Sequence, residues 1–114
     1  MTDSDRARLS VPGFHILLAL ADRDRHGYGI MTEVEQRSEG RFRLWPATLY
    51  TAIKRMVAEG LIEPQAAPPG EDARRKHYRL TDVGKETLAE ETRRMDDLVA
   101  LARSKDVLSW KQGR

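Results

Sequence analysis

Two segments of this chain carry basic side chains without acidic ones. They are residues 41–58 and residues 73–81, and each holds four basic residues. Lysine and arginine neutralise phosphates and release their counterions, so a nucleic-acid surface is one reading of the pattern. A single segment of this kind is usually just a solvated surface face. The presence of a second such segment makes that interpretation less favoured. The eight residues are Arg41, Arg43, Lys54, Arg55, Arg74, Arg75, Lys76 and Arg79.

The overall composition excludes several classes of protein. The chain has 114 residues, enough for one domain, and a net charge of only +2, so the charge distribution carries the argument. It has no cysteine, which excludes disulfides and thiol catalysis and fits a reducing cytoplasm. The charged N-terminus has no apolar run typical of a signal, and the longest apolar block, residues 14–21, is too short to span a bilayer. We therefore expect a cytoplasmic protein without a membrane partner.

Local signals predict three helices in the first half of the chain. Ser10 is a good N-cap for a helix over residues 11–23. The sequence HGYGI marks a turn into a second helix over residues 28–37. A third helix begins near Pro46, which suits a first helical position, and ends at Gly60. The short connection between the second and third helices favours a helix-turn-helix unit.

The third predicted helix has an apolar side and a basic side. Leu49, Ile53 and Met56 line the apolar side, while Tyr50 and its neighbours one turn on line the other. A helix of this kind fits the major groove, where such side chains can reach base edges and phosphates. The predicted DNA-binding residues come from this helix, from the basic residues just before it and from the second basic segment. They are Tyr50, Thr51, Lys54, Arg55, Arg41, Arg43, Thr48, Arg74, Arg75 and Lys76.

A β-hairpin is predicted after the third helix. Residues 61–65 read as an edge strand because Pro64 cannot donate to a sheet. Residues 74–80 alternate, so Tyr78 and Leu80 would face one way while His77 and Arg79 face the other. The tip would lie at residues 68–72. A hairpin in this position is the wing of a winged helix-turn-helix, which gives a mainly α fold of the α+β class.

Thr81 caps a final predicted helix that runs to about Ser104. Its apolar stripe extends past so small a domain and requires a partner, for which a second copy of the same helix is the simplest choice. We divide the chain into a flexible arm at residues 1–9, the DNA-binding domain at 10–80, the dimerisation helix at 81–104 and a tail at 105–114. The predicted dimerisation residues are Phe14, Leu17, Leu18, Leu88, Met95, Leu98, Val99 and Ala102.

Three sequence blocks together resemble the PadR-like winged-helix transcriptional regulators. They are HGYGI at 26–30, TLYTAIKRMVAEGLI at 48–62 and RRKHYRLTDVGKETL at 74–88. The resemblance implies a homodimer formed by the C-terminal helix and the first helix, and binding to a double-stranded DNA operator, usually as a repressor. It places Tyr50 and Lys54 at DNA, and it places the wing residues at the backbone or minor groove. The chain departs from the family at Trp45, where members often have a glycine.

The resemblance also indicates where a small-molecule ligand would bind. Some members of the short-tailed subgroup bind flat aromatic compounds between tryptophans at the dimer interface, so Trp110 is the candidate residue for a small aromatic effector. Trp110 lies beyond the periodic part of the last helix, which favours instead an exposed or dimer-packing tryptophan.

The sequence contains no catalytic or metal-binding motif. His15, His26 and His77 lie on different predicted elements without metal-ligand spacing, so we expect no metal and no cofactor. Acid pairs such as Glu90 and Glu91 read as a polar helix face, and we expect no enzyme. The alternative to DNA binding is a winged-helix module whose basic faces dock an acidic protein partner.

Overall fold

The computed structural model describes residues 9–110, and in that range the chain forms four α-helices, three strands and a 3₁₀ turn. No helix in that range is both long and apolar enough to cross a membrane. The strands form one antiparallel sheet in the order β1–β3–β2. The elements are α1 (Val11–Ala19), β1 (Arg25–His26), α2 (Gly27–Arg37), α3 (Pro46–Ala58), β2 (Ile62–Gln65), β3 (His77–Leu80), α4 (Asp82–Ser104) and the 3₁₀ turn (Val107–Ser109).

Helix α1 begins where predicted and ends four residues early. The Ser10 Oγ accepts a hydrogen bond from the Gly13 N–H at 3.0 Å, which satisfies one donor of the first turn. The helix ends at Ala19, because the Arg25 side chain donates to the Ala19 carbonyl at 2.7 Å and the chain then turns into β1. The predicted helical residues 20–23 are therefore a C-cap and a turn.

The sheet has one strand more than the predicted hairpin. Arg25 pairs with Tyr78 and His26 with His77, so β1 covers the second edge of β3. Strand β2 lies on the other edge, as Pro64 predicts. The alternation did not indicate that His77 is buried: it is only 4% exposed, because its ring packs edge-on against His26 and its Nε2 hydrogen-bonds to Glu71.

One apolar core joins the helices to the sheet. Leu9 also packs against this core, so the predicted flexible arm is wrong at that residue, while residues 1–8 lie outside the described range. Gly84 lets α4 approach β2 closely, since a methyl group added at Gly84 would overlap the Leu61 carbonyl oxygen. The fully buried side chains that centre the core are Ile16, Leu17, Ile30, Val34, Leu49 and Ile62.

Helix α4 has the predicted bounds. The Thr81 Oγ1 caps it by accepting from the Gly84 N–H at 3.0 Å, and Asp82 lies favourably in its first turn. After Ser104 the chain forms the 3₁₀ turn and reaches Trp110, the last described residue of the predicted tail. The predicted domain boundaries, including a dimerisation role for α4, stay predictions.

Candidate nucleic-acid interface

Helix α3 presents the two sides that its sequence predicts. Leu49, Ile53 and Met56 are buried, while Tyr50 and Lys54 are exposed on the opposite side. Pro46 occupies the first turn. Helix α3 therefore offers a polar, basic face to a partner while its apolar face holds it in the domain.

Trp45 sits at the N-terminus of α3 in place of a capping residue. It is the N-cap, it makes no side-chain cap hydrogen bond, and its side chain is 62% exposed. The Arg43 guanidinium lies 5.7 Å from the ring centroid, within the range of a cation–π contact. A helix whose first residue is Pro46 needs one donor fewer satisfied, which makes the missing cap tolerable.

Tyr50 is positioned by the start of α2. A methyl group added at Gly27 would lie 2.6 Å from the Tyr50 Oη, so only glycine lets the ring rest there. Tyr50 also lies near Tyr78, whose pKa is raised mainly by burial and to a smaller extent by Tyr50. Gly27 of the HGYGI sequence thus leaves the space that a predicted DNA-binding residue of α3 occupies.

The other flank of α3 borders an open groove. The groove has a volume of about 1020 Å³ and lies between α3, the start of α1 and the first turns of α4. Thr48, Thr51 and Arg55 line it together with Val83 and Glu86. The predicted DNA-binding residues of α3 are therefore spread over both flanks: Tyr50 faces the wing side and these three face the groove.

Half of the eight basic residues have acidic neighbours after folding. Acids from outside the two segments reach them, so the segments are acid-free in sequence but not in space. The hydrogen bonds from Arg74 hold the pKa of Asp72 below its usual range, and the bond to Glu63 raises the pKa of Arg79. The pairs are Arg41–Glu39 at 3.9 Å, Arg43–Glu35 at 3.0 Å, Arg74–Asp72 at 3.1 Å and Arg79–Glu63 at 2.7 Å.

The other four basic residues form no ion pair within residues 9–110. They are Lys54 and Arg55 on α3 and Arg75 and Lys76 at the wing, and all four are exposed. A cation without an internal partner can meet a phosphate without first giving up an ion pair. These four residues therefore carry the uncompensated positive charge of the two segments.

The root of the wing brings together residues that the sequence keeps apart. His26, His77 and Glu71 place ligand-type atoms within 4.8 Å of one another, although their spacing gives no metal motif. The Arg75 Nη1 lies 3.1 Å from the His26 Nε2, and the His26 Nδ1 already accepts from the Gly29 N–H. One ring nitrogen of His26 is thus already used to cap α2, and a guanidinium lies beside the other, which disfavours a cation at this cluster.

The predicted dimer residues separate into buried and exposed sets. Leu17 is fully buried and Leu88 nearly so, and both belong to the core of the chain. Leu18, Leu98 and Val99 are exposed, whereas the remaining three, Phe14, Met95 and Ala102, are partly buried. Sequence periodicity did not distinguish these sets, because a helix packed on its own domain and one packed on a partner have the same apolar spacing.

Exposed apolar residues extend beyond the eight predicted dimer residues, and one acid on α4 was misplaced by sequence reasoning. Leu101, which widens the predicted stripe on α4, is exposed, as are Leu108 in the 3₁₀ turn and Trp110, which is 66% exposed. Glu91, expected on a polar face, is only 2% exposed and accepts a hydrogen bond from the Arg94 Nη2 at 2.6 Å.

A helix-turn-helix of α2 and α3 followed by a β-hairpin defines a winged-helix DNA-binding class of protein. The chain belongs to the transcriptional regulator PadR-like family, whose model matches residues 16–90. Members of this family are transcriptional regulators rather than enzymes. The transcriptional regulator Rv3488 of Mycobacterium tuberculosis is 33% identical over 84 residues, which cover 74% of this chain and 75% of that protein. An uncharacterised protein of Lysinibacillus sphaericus is 35% identical over 75 residues, or 66% of this chain and 69% of its own.

Solved structures show the same architecture. A PadR family regulator from Clostridium difficile has a TM-score of 0.71 and 27% identity, covering 83% of this chain and 97% of its own. Bacillus subtilis PadR in complex with operator DNA has a TM-score of 0.65 and 25% identity, covering 73% of this chain and 47% of its own. The predicted family and fold class are confirmed.

Proposed function

We propose that this chain is a homodimeric repressor that binds a palindromic operator in double-stranded DNA. The observation that carries the proposal is the exposed basic face of α3, with Lys54 near its centre and free of any ion pair within residues 9–110. A winged helix places such a helix in the major groove, where lysine and threonine contact base edges or phosphates. The similar Bacillus subtilis protein, bound to operator DNA, supports the same use of the fold.

The remaining DNA contacts follow from the exposed basic residues. Tyr50 and Thr51 lie beside Lys54 and reach the major groove of the DNA, while Thr48 and Arg55 contact the neighbouring phosphate backbone of the DNA. Arg75 and Lys76 on the wing meet phosphates directly, whereas Arg41, Arg43 and Arg74 must first leave their carboxylate partners. A DNA-binding protein of this kind acts in the cytoplasm.

The second copy docks on the C-terminal half of α4 and on α1. Leu98, Val99 and Leu101 are about half exposed on α4, and Leu18 is exposed on α1. Such an apolar stripe past the core of a small domain is stabilised by an identical stripe. Two copies then place two α3 helices about 34 Å apart, one turn of duplex. Trp110 we assign to this interface rather than to an aromatic effector.

The test is binding of purified protein to the DNA upstream of its own gene, measured by fluorescence anisotropy at several salt concentrations. Lys54→Ala should weaken binding and lower the slope of log K against log salt by about one. Lys85→Ala is the matched control, because Lys85 lines a groove with Asp22, Asp24 and Glu63 to which α3 contributes no residue. Equal binding by the parent and Lys54→Ala would contradict the assignment of α3. No selective binding to any fragment would favour the protein-interaction module.

A further inference from the structure

His26 links α2 to the wing and has a defined protonation pattern. Its Nδ1 accepts a hydrogen bond from the Gly29 N–H at 3.0 Å, which caps the first turn of α2. A neutral imidazole has one acceptor nitrogen and one donor nitrogen. Because Nδ1 is the acceptor, the proton of the neutral ring is on Nε2, and the Nε2–H points away from α2.

Arg75 places a second donor beside that Nε2–H. The Arg75 Nη1 lies 3.1 Å from the His26 Nε2 and 3.5 Å from the Nδ1, so it lies against the ring rather than on the line of the Nε2–H, and a guanidinium can only donate hydrogen bonds. The pKa of the His26 ring is lowered, first by burial and then by the positive charge of Arg75, so the ring stays neutral near pH 7. The arrangement is therefore two N–H donors side by side, with the guanidinium against the ring and the Nε2–H next to it.

No acceptor within residues 9–110 completes this donor pair. Glu71, the nearby carboxylate, is engaged by the His77 Nε2 at 3.1 Å, and the His77 Nδ1 lies 3.4 Å from the Arg75 carbonyl. The other histidine contact is the edge-on packing of His26 against His77, with ring centroids 5.1 Å apart. An oxygen anion placed next to the Nε2–H and the guanidinium would accept from both.

The pair lies beside the helix proposed to enter the major groove. His26 immediately precedes Gly27, on which the Tyr50 ring of α3 rests. Arg75 precedes β3 in the wing and forms no ion pair within the described residues. An α3 seated in a major groove, as proposed above, would bring the phosphates that border that groove towards both residues.

We propose that His26 and Arg75 together bind one phosphate of the DNA backbone, an inference that rests on the proposed function. The His26 Nε2–H and the Arg75 guanidinium donate to its oxygens, while the His26 Nδ1 continues to cap α2. His26 is thus a DNA-binding residue that also fixes the start of α2. Charge-assisted bonds of this kind are among the stronger hydrogen bonds of proteins.

The decisive variant is His26→Asn, because asparagine is among the best N-cap residues and keeps an oxygen for the Gly29 N–H. It keeps the cap, and because its side chain is shorter than the imidazole it places no N–H at the Nε2 position. Thermal unfolding should match the parent, while operator affinity measured in EDTA falls about tenfold, the effect of one hydrogen bond to a charged group. His26→Ser, a second capping variant, should give the same result if the asparagine variant proves less stable.

Salt dependence separates the two donors. Arg75→Ala should lower the slope of log K against log salt by about one, because a cation releases a counterion. His26→Asn should weaken binding with an unchanged slope, because the neutral ring releases none. The double variant should lose much less affinity for the operator than the product of the two single fold-losses, because both donors act on one phosphate.

Duplexes with single methylphosphonate substitutions locate the contact. At one backbone position the neutral linkage should weaken DNA binding by the parent protein. His26→Asn and Arg75→Ala should bind the modified and natural duplexes with equal affinity. Parent-like affinity of a stably folded His26→Asn, or losses that multiply in the double variant, would overturn the inference while Lys54→Ala still reports on α3. Failure of the parent to select any DNA would overturn the proposed function itself.

Discussion

The Tyr50 phenol rests on the backbone of Gly27, so that the first residue of α2 sets the position of a side chain on α3. This contact joins the two helices of the helix-turn-helix at the edge of the proposed DNA surface. It also gives a physical reason for glycine at position 27, where the backbone has no positive φ to favour it.

Gly27→Ala should weaken DNA binding more than it weakens the fold. The added methyl group would lie 2.6 Å from the Tyr50 Oη, so the exposed end of that side chain must move while the core stays in place. We expect operator affinity to fall by about 1 kcal/mol or more, the size of one base contact, with a small change in melting temperature. Anisotropy and thermal unfolding measure the two effects.

Gly29→Ala is the matched control for that variant. A methyl group at Gly29 would make ordinary contacts of 3.5 Å or more with Arg25 and His26. Alanine also favours the helix over glycine by about 1 kcal/mol. Equal losses of DNA binding in the two alanine variants would show that Tyr50 is not the reason for glycine at position 27.

Gly84→Ala should destabilise the whole domain. A methyl group there would overlap the Leu61 carbonyl oxygen, which is backbone and cannot rotate away. Overpacking of this kind costs about 1–3 kcal/mol, and a loss of about 2 kcal/mol would lower the melting temperature by roughly 8 °C or more. The exposed neighbour Val83 is the control: Val83→Ala should leave the melting temperature nearly unchanged, and a stable Gly84→Ala would mean that α4 can shift.

The elements predicted well from the sequence are those with local signals. Pro46 begins α3, and Thr81 caps α4 through its own side chain, so a few adjacent residues specify each start. Strand β1 has no such signal. It contains two residues and exists only because Arg25 and His26 pair with β3 about fifty residues later.

The sequence predicted which residues form the candidate site but not which other side chains each of them contacts. Arg43 looked uncompensated because Glu35 lies eight residues earlier, yet the turn before α3 brings their side chains to 3.0 Å. His77 looked exposed from the alternation of its strand, yet a contact with His26 covers it. Sequence gives charge and period, whereas pairing between distant segments is decided by tertiary packing.

Leu98→Asp should convert the proposed dimer into a folded monomer. Leu98 is 52% exposed on α4, so a charge there costs the chain itself little but would be buried without a partner in the proposed interface. Sedimentation equilibrium should show the smaller mass, with helical content by circular dichroism retained. Val83→Asp, at a residue of similar exposure in the first turn of the same helix, should leave the mass unchanged. A dimeric Leu98→Asp would contradict the proposed interface.

His15 should make the protein less stable as the pH falls through the usual histidine range. Its ring stacks on Phe42 with centroids 4.0 Å apart, and its pKa is lowered from 6.5, mainly by burial and further by Arg37. A lowered folded-state pKa means that the unfolded chain binds more protons below pH 6.5, so stability present above that pH is lost on acidification. Urea unfolding at about pH 8 and pH 5.5 should therefore show a smaller decrease for His15→Gln than for the parent. An equal decrease in both proteins would show that protonation of His15 is not linked to unfolding.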